Sequence, residues 1–172
     1  NSNGKDSVVV NYDSSVVNLE FLRQQIKKTE GQPNISLADF IKPADTHDSP
    51  LTTHDFIGAF SVTIQGIEEH IKRFEAAHDD YNKITLQALA DRLAEAFAEL
   101  MHWRVRTDLW GYVTNEQLTP DDLIDEKYQG IRPAPGYPAC PAHEVKADLL
   151  RVIGSEDIGM TLTESTPLST SI

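Results

Sequence analysis

Between Arg132 and His143 the chain reads Arg-Pro-Ala-Pro-Gly-Tyr-Pro-Ala-Cys-Pro-Ala-His, with prolines at 133, 135, 138 and 141. No regular helix or central strand runs through such a stretch, because each proline fixes its own φ and removes a backbone donor. Each also pushes the residue before it toward extended geometry. The expectation is an extended, polyproline-like rod with a flexible point at Gly136. A rod cannot pair all of its remaining N–H groups with itself, so those of Ala134, Gly136, Tyr137, Ala139 and Cys140 need other partners. A forked cation (Arg132), a bare backbone (Gly136) and an aromatic with a polar tip (Tyr137) lie within six residues. That combination suits a ligand carrying a carboxylate and a flat ring. The competing reading is a loop that only connects elements or packs on a surface.

At 172 residues the chain is one domain long and can bury a core. Its net charge of −12 repels phosphate backbones and anionic lipid, which argues against nucleic-acid and membrane-surface roles. The single cysteine forms no intrachain disulfide and fits a reducing, cytoplasmic compartment. No apolar run approaches the ~20 residues of a membrane span. The polar first residues do not read as a signal peptide. The opening Asn-Ser-Asn-Gly, without an initiator Met, suggests a piece of something longer.

In chain order, Val8–Tyr12 reads as a strand. Val16, Leu19, Leu22 and Ile26 predict a helix over 16–29, ended by Gly31 and Pro33. Residues 35–41 read as a strand, 43–55 as a loop and 56–64 as a central strand. A helix is expected over 66–78. A long one follows over 80–109, with Leu86, Leu89, Leu93, Phe97, Met101 and Val105 as an apolar stripe laid across a sheet or another helix. Asp91, Glu95 and Glu99 lie on its opposite side. They read either as a site or as an ordinary solvated face, with Arg92, Arg104 and Arg106 available for local pairing. Thr119-Pro120-Asp121-Asp122 starts a short helix toward Tyr128. Another helix spans 143–152, and 160–162 is a strand. Strands and helices without βαβ regularity predict an α+β fold, mainly antiparallel sheet with helices packed on it.

Cys140-x-x-His143 is at most half a metal site, since no second cysteine exists and His78, Asp79 and Asp80 have no matching spacing. The same pair is a weak nucleophile and base. His54, His70 and His102 show no pattern beyond surface or satisfied positions. Trp103 and Trp110 read as helix packing.

Gly130-Ile131 followed by Arg132 through Cys140 resembles the S-adenosylmethionine signature of the activation domain of cobalamin-dependent methionine synthase. Leu37–Phe40, Ile57–Thr63, His78–Lys83, Ala88–Glu99 and Leu162–Ser165 resemble further family segments, in family order. The resemblance implies that Arg132 binds the ligand's carboxylate. It places Tyr137 near the methyl group and the cobalt face, and the backbone at Ala134 and Gly136 on the adenine and ribose side. Glu95 and Glu126 match acidic positions that accept ribose hydroxyls or balance the sulfonium, and Asp91 matches a position toward the cobalamin domain. An acidic pocket around one arginine suits a sulfonium cation.

The implied module lacks methionine-forming chemistry of its own. It presents S-adenosylmethionine to cob(II)alamin held by a neighbouring domain, while a flavodoxin-like or other flavoprotein supplies an electron. The family domain extends beyond both ends of this chain. Residues 1–172 therefore read as a single, partial activation domain, with ligand contacts that the family supplies from further upstream and downstream lying outside it, and the tail 166–172 departs from the family. Two alternatives stand beside this: a structural interaction module without ligand, and a stand-alone hydrolase or transferase using Glu95 or Glu126 with His143.

Overall fold

A computed structural model of the chain describes residues 6–12, 14–43, 55–162 and 168–170. The chain divides into two compact units. One comprises Asn1–Ala59 with Pro133–Ser171, and the other Phe60–Arg132.

The first unit is built on an antiparallel hairpin of β1 (Ser7–Tyr12) and β2 (Ser15–Glu20), in which Tyr12 faces Ser15 and Val8 faces Leu19. The expected strand at Val8 is present, but the helix over 16–29 is not. Val16 and Val17 are β-branched, and Ser14, at φ +66°, reverses the chain just before them. Period two then decides which residues go inside. Val8, Val17, Leu19 and Phe21 are buried, while Val16 faces solvent.

The expected strand over 35–41 is also corrected, to a 3-10 turn at Leu37–Phe40. Ser36 and Asp39 close a capping box there. The Ser36 hydroxyl receives the Ala38 N–H, and the Asp39 carboxylate receives the Ser36 N–H. Arg23 donates to both Asp39 oxygens and to Asp6, and holds the Asp39 carboxyl down at about 2. α4 (Val145–Val152) packs on β2, close to the predicted boundaries. Val145, Cys140 and Ala38 complete the buried cluster. β3 (Met160–Leu162) falls where a strand was expected and pairs antiparallel with β4 (Leu168–Thr170). The α+β, antiparallel reading therefore holds.

The second unit is helical. α1 (Glu68–Ala76) packs against α2 (Asp80–Arg104). Between them His78 sits at φ +52°, and its N–H and that of Asp79 close back on Glu75 and Phe74, a Schellman-type stop. Asp79 then caps α2 by accepting the Asn82 N–H. The long helix is as expected, except that its last turn widens into a π turn over Val105–Leu109.

The predicted stripe is packed only in part: Leu86, Met101 and Val105 are half-buried. Leu89, Leu93 and Phe97 are exposed, whereas Ala90, His102 and Arg106 are buried. An alanine permits closer approach than a leucine, which suits the buried position of Ala90, while the far end of the helix buries the polar side chains of His102 and Arg106. Phe56–Ile64, expected as a central strand, is irregular. It pairs with no strand among the described residues, and an apolar segment needs such a partner for its amides. Most of the expected 43–55 loop lies outside the described residues.

Candidate functional site

The proline-rich segment is not a rod. After an extended entry it folds into two tight turns. The Tyr137 N–H reaches the Ala134 carbonyl at 3.3 Å, and the Cys140 N–H reaches the Tyr137 carbonyl at 2.9 Å. Pro135 and Pro138 each occupy the second position of a turn, where a fixed φ is already correct. Gly136 follows at φ +97°, as the third position of a type II turn demands. A Cβ there would also collide with the His143 imidazole. The Gly136 N–H closes back on the Cys140 carbonyl at 2.7 Å. Thus three of the amides expected to seek outside partners are paired inside the loop.

Tyr137 is left 67% exposed, with Ala134 and Gly136 also at the surface. Cys140 is buried, and burial pushes its thiol up, away from nucleophile or ligand duty. His143 accepts at Nδ1 from Lys146 Nζ at 2.9 Å.

Arg132, Glu95 and Glu126 belong to the other unit. There α2 and the π turn that continues it carry Glu99, His102 and Arg106 at spacings of three and four. Arg106 is fully buried and forms a two-bond fork with Glu116, Nε to Oε1 at 2.7 Å and Nη2 to Oε2 at 2.6 Å; the Glu116 side chain is 5% exposed. The Arg106 guanidinium also lies over the Tyr128 ring at 4.6 Å. His102 meets that ring edge-on at 4.7 Å. Burial, with Arg106 and Arg132 nearby, lowers the His102 pKa to about 4, so its ring is neutral at pH 7. Arg106 holds the Glu116 carboxyl below its ordinary value.

Arg132 donates from Nη2 to Glu99 Oε2 at 2.6 Å. The charges of Arg132, Glu99 and Glu126 all act on the Tyr128 hydroxyl, whose pKa is raised chiefly by burial. Glu95, one turn before Glu99, is exposed and paired with Arg92 at 2.7 Å. Asp91 is exposed as well.

Glu126 occupies an unusual backbone position. α3 (Pro120–Ile124), opened by the predicted Thr119–Asp122 capping box, ends in a Schellman turn. The Lys127 and Glu126 N–H groups reach the Asp122 and Leu123 carbonyls at 2.9 and 3.1 Å. Glu126 sits at φ +54°, where glycine is preferred. Glu126→Gly is therefore expected to raise stability by roughly 1 kcal/mol in urea unfolding. If the acid serves a ligand, the same variant loses affinity, which a titration reads independently.

Sequence reasoning located Arg132, Glu95 and Glu126 but missed the cluster behind them. Glu99 was visible only as one acid of a ridge, His102 had no pattern, and Arg106 was expected to pair locally. Arg92 and Arg104 do pair locally, with Glu95 and Asp108. Arg106 instead reaches ten residues ahead, past the π turn. The available signal was the Glu99, His102, Arg106 spacing.

Residues 1–170 match the vitamin B12-dependent methionine synthase activation domain family, and the chain belongs to that family. Among solved structures it is similar to a MetH reactivation domain crystallised with AdoHcy bound. The identity is 42% and the TM-score 0.67, over 90% of this chain and 46% of that one. The chain thus spans about half the length of the structure it matches. No helix among the described residues is long and apolar enough to cross a membrane.

Proposed function

We propose that this chain is part of an S-adenosylmethionine-binding module that reactivates a cobalamin-dependent methionine synthase. Both compact units are taken as parts of one activation domain, in keeping with a family match that runs through both. The observation that carries the reading is Arg132. It is a partly buried guanidinium held by Glu99 and followed directly by the Pro135–Cys140 turns, in a chain 42% identical to a domain crystallised with AdoHcy. Arg132 receives the ligand's carboxylate, for which its planar fork is suited. Backbone groups at Ala134 and Gly136 meet the adenine and ribose side, where the lack of a side chain at Gly136 permits close approach. The exposed Tyr137 ring lies near the methyl group. Glu126 and Glu95 accept ribose hydroxyls or balance the sulfonium.

A cobalamin held by a neighbouring domain would take the methyl group after one-electron reduction by a flavoprotein, with S-adenosylhomocysteine as the leaving group. This chain contributes binding and orientation in the cytoplasm, within a larger methyltransferase.

The test is calorimetric titration of the chain with S-adenosylmethionine. Arg132→Ala is expected to weaken binding by about 100-fold, the scale for losing a charge-assisted fork. Affinity unchanged in the variant would remove Arg132 from the site. If the wild-type chain shows no saturable binding, the reading fails for this chain.

A further inference from the structure

Glu99 stands out because its pairing with Arg132 is half closed. One bond is made, Nη2 to Oε2 at 2.6 Å. The two atoms that would complete a side-on fork, Arg132 Nε and Glu99 Oε1, are both buried and without a hydrogen-bond partner. The side chains are 29% and 30% exposed, so the pair is neither a freely solvated surface contact nor a sealed core bridge. Nε and Nη2 lie on one edge of a guanidinium, the edge a carboxylate takes with two parallel bonds, and such a fork fixes the guanidinium plane.

Glu99 is itself well placed to hold something still. It lies on α2, one turn before His102 and two before Arg106, both buried. The Arg106–Glu116 fork and the Tyr128 ring pin that end of the helix. His102 Nδ1 and Arg106 Nη1 are likewise buried without a partner, so the polar cluster behind Arg132 is not fully satisfied by its own members.

We propose that Glu99 is a positioning residue: it holds one edge of the Arg132 guanidinium so that the donors it leaves free are aimed at the ligand's carboxylate. This rests on the ligand reading above. Arginine loses much rotamer freedom when ordered, and a carboxylate that orders it beforehand removes that cost from the binding step. Glu99 does not touch the ligand in this assignment; it acts through Arg132.

The experiment has two arms, run on the wild-type chain, Glu99→Ala and Glu99→Gln. Alanine is a better helix former than glutamate, so α2 is not threatened, and melting temperatures check the fold. In the first arm, the side-chain 15N signals of Arg132 are recorded without ligand, assigned by their absence in Arg132→Lys. Wild type is expected to show slow rotation about Cζ–Nε, and Glu99→Ala fast rotation. Glu99→Gln keeps an acceptor at the same reach and should regain part of the order.

The second arm titrates the same samples with S-adenosylhomocysteine. Glu99→Ala is expected to bind about tenfold more weakly, with Glu99→Gln between. Equal order of Arg132 in wild type and Glu99→Ala overturns the proposal. So does equal or tighter binding by Glu99→Ala, which would make Glu99 a competitor for Arg132. Failure of wild type to take the ligand overturns the binding reading and the purpose assigned to Glu99, while the first arm still shows whether Glu99 orders Arg132.

Discussion

Arg106→Met is expected to destabilise the helical unit by about 3–5 kcal/mol, the largest effect of any single substitution considered. The cause is less the attraction that is lost than the charge left behind. The Glu116 side chain is 5% exposed and receives both of its strong bonds from Arg106, so the variant leaves an ionised carboxylate buried alone. The Tyr128 ring loses its stacked cation as well. Arg106→Met combined with Glu116→Leu removes both charges and should recover most of the loss, because a buried ion pair is worth little more than apolar groups of similar volume. Both tryptophans, Trp103 and Trp110, lie in this unit. Their fluorescence in a urea titration therefore follows it separately from the hairpin unit. A single-variant loss below about 1 kcal/mol would contradict a desolvated pair.

Acidification should cost the same unit roughly 3 kcal/mol between about pH 6.5 and pH 4, through His102. Its pKa falls from 6.5 to about 4 on folding, through burial first and then the Arg106 and Arg132 charges, with Glu116 opposing them. Within that window the unfolded chain binds a proton that the folded unit refuses, so stability falls as pH falls and levels off below about 4. The ring is 3% exposed and edge-on to Tyr128, so solvent screens little of the effect. Glu116 has a lowered pKa, so its own contribution is lost as pH falls through that depressed value, beneath its ordinary 4.5. Its loss therefore adds at the acid end of the scale. His102→Phe keeps an edge contact with Tyr128 and should flatten the slope between pH 6.5 and 4. A slope that survives in that variant would assign the titration to another group.

Much of this fold was legible, and the failures have identifiable causes. The long helix was evident because its apolar spacing runs unbroken for many residues. Which face it buries was legible only in part: Leu86, Met101 and Val105 are half-buried as expected, but Leu89 and Leu93 outweigh alanines in any periodicity while close packing favours Ala90. Val16 and Leu19 fit a helical spacing, which hid the period-two pattern of Val17, Leu19 and Phe21 that the hairpin buries. Ser36-x-x-Asp39 carried a cap signature that was passed over for an alternation. Pro135-Gly136 announced a type II turn, yet the density of prolines favoured the rod.

The site divides in the same way. Arg132 is named by its motif, whereas the Arg132–Glu99 and Arg106–Glu116 pairings join residues 33 and 10 apart. Only the path of the chain after α2 brings them together. Glu126 was found from family position, but its left-handed backbone belongs to the Schellman turn and has no trace in residue type.

The most direct measurement is a crystal structure of this chain with S-adenosylhomocysteine. The account predicts the ligand's carboxylate within hydrogen-bond distance of Arg132, Glu99 still on the other edge of that guanidinium, and the ring system against the Ala134–Gly136 backbone. A ligand bound elsewhere, or bound here with Arg132 turned away, would contradict it.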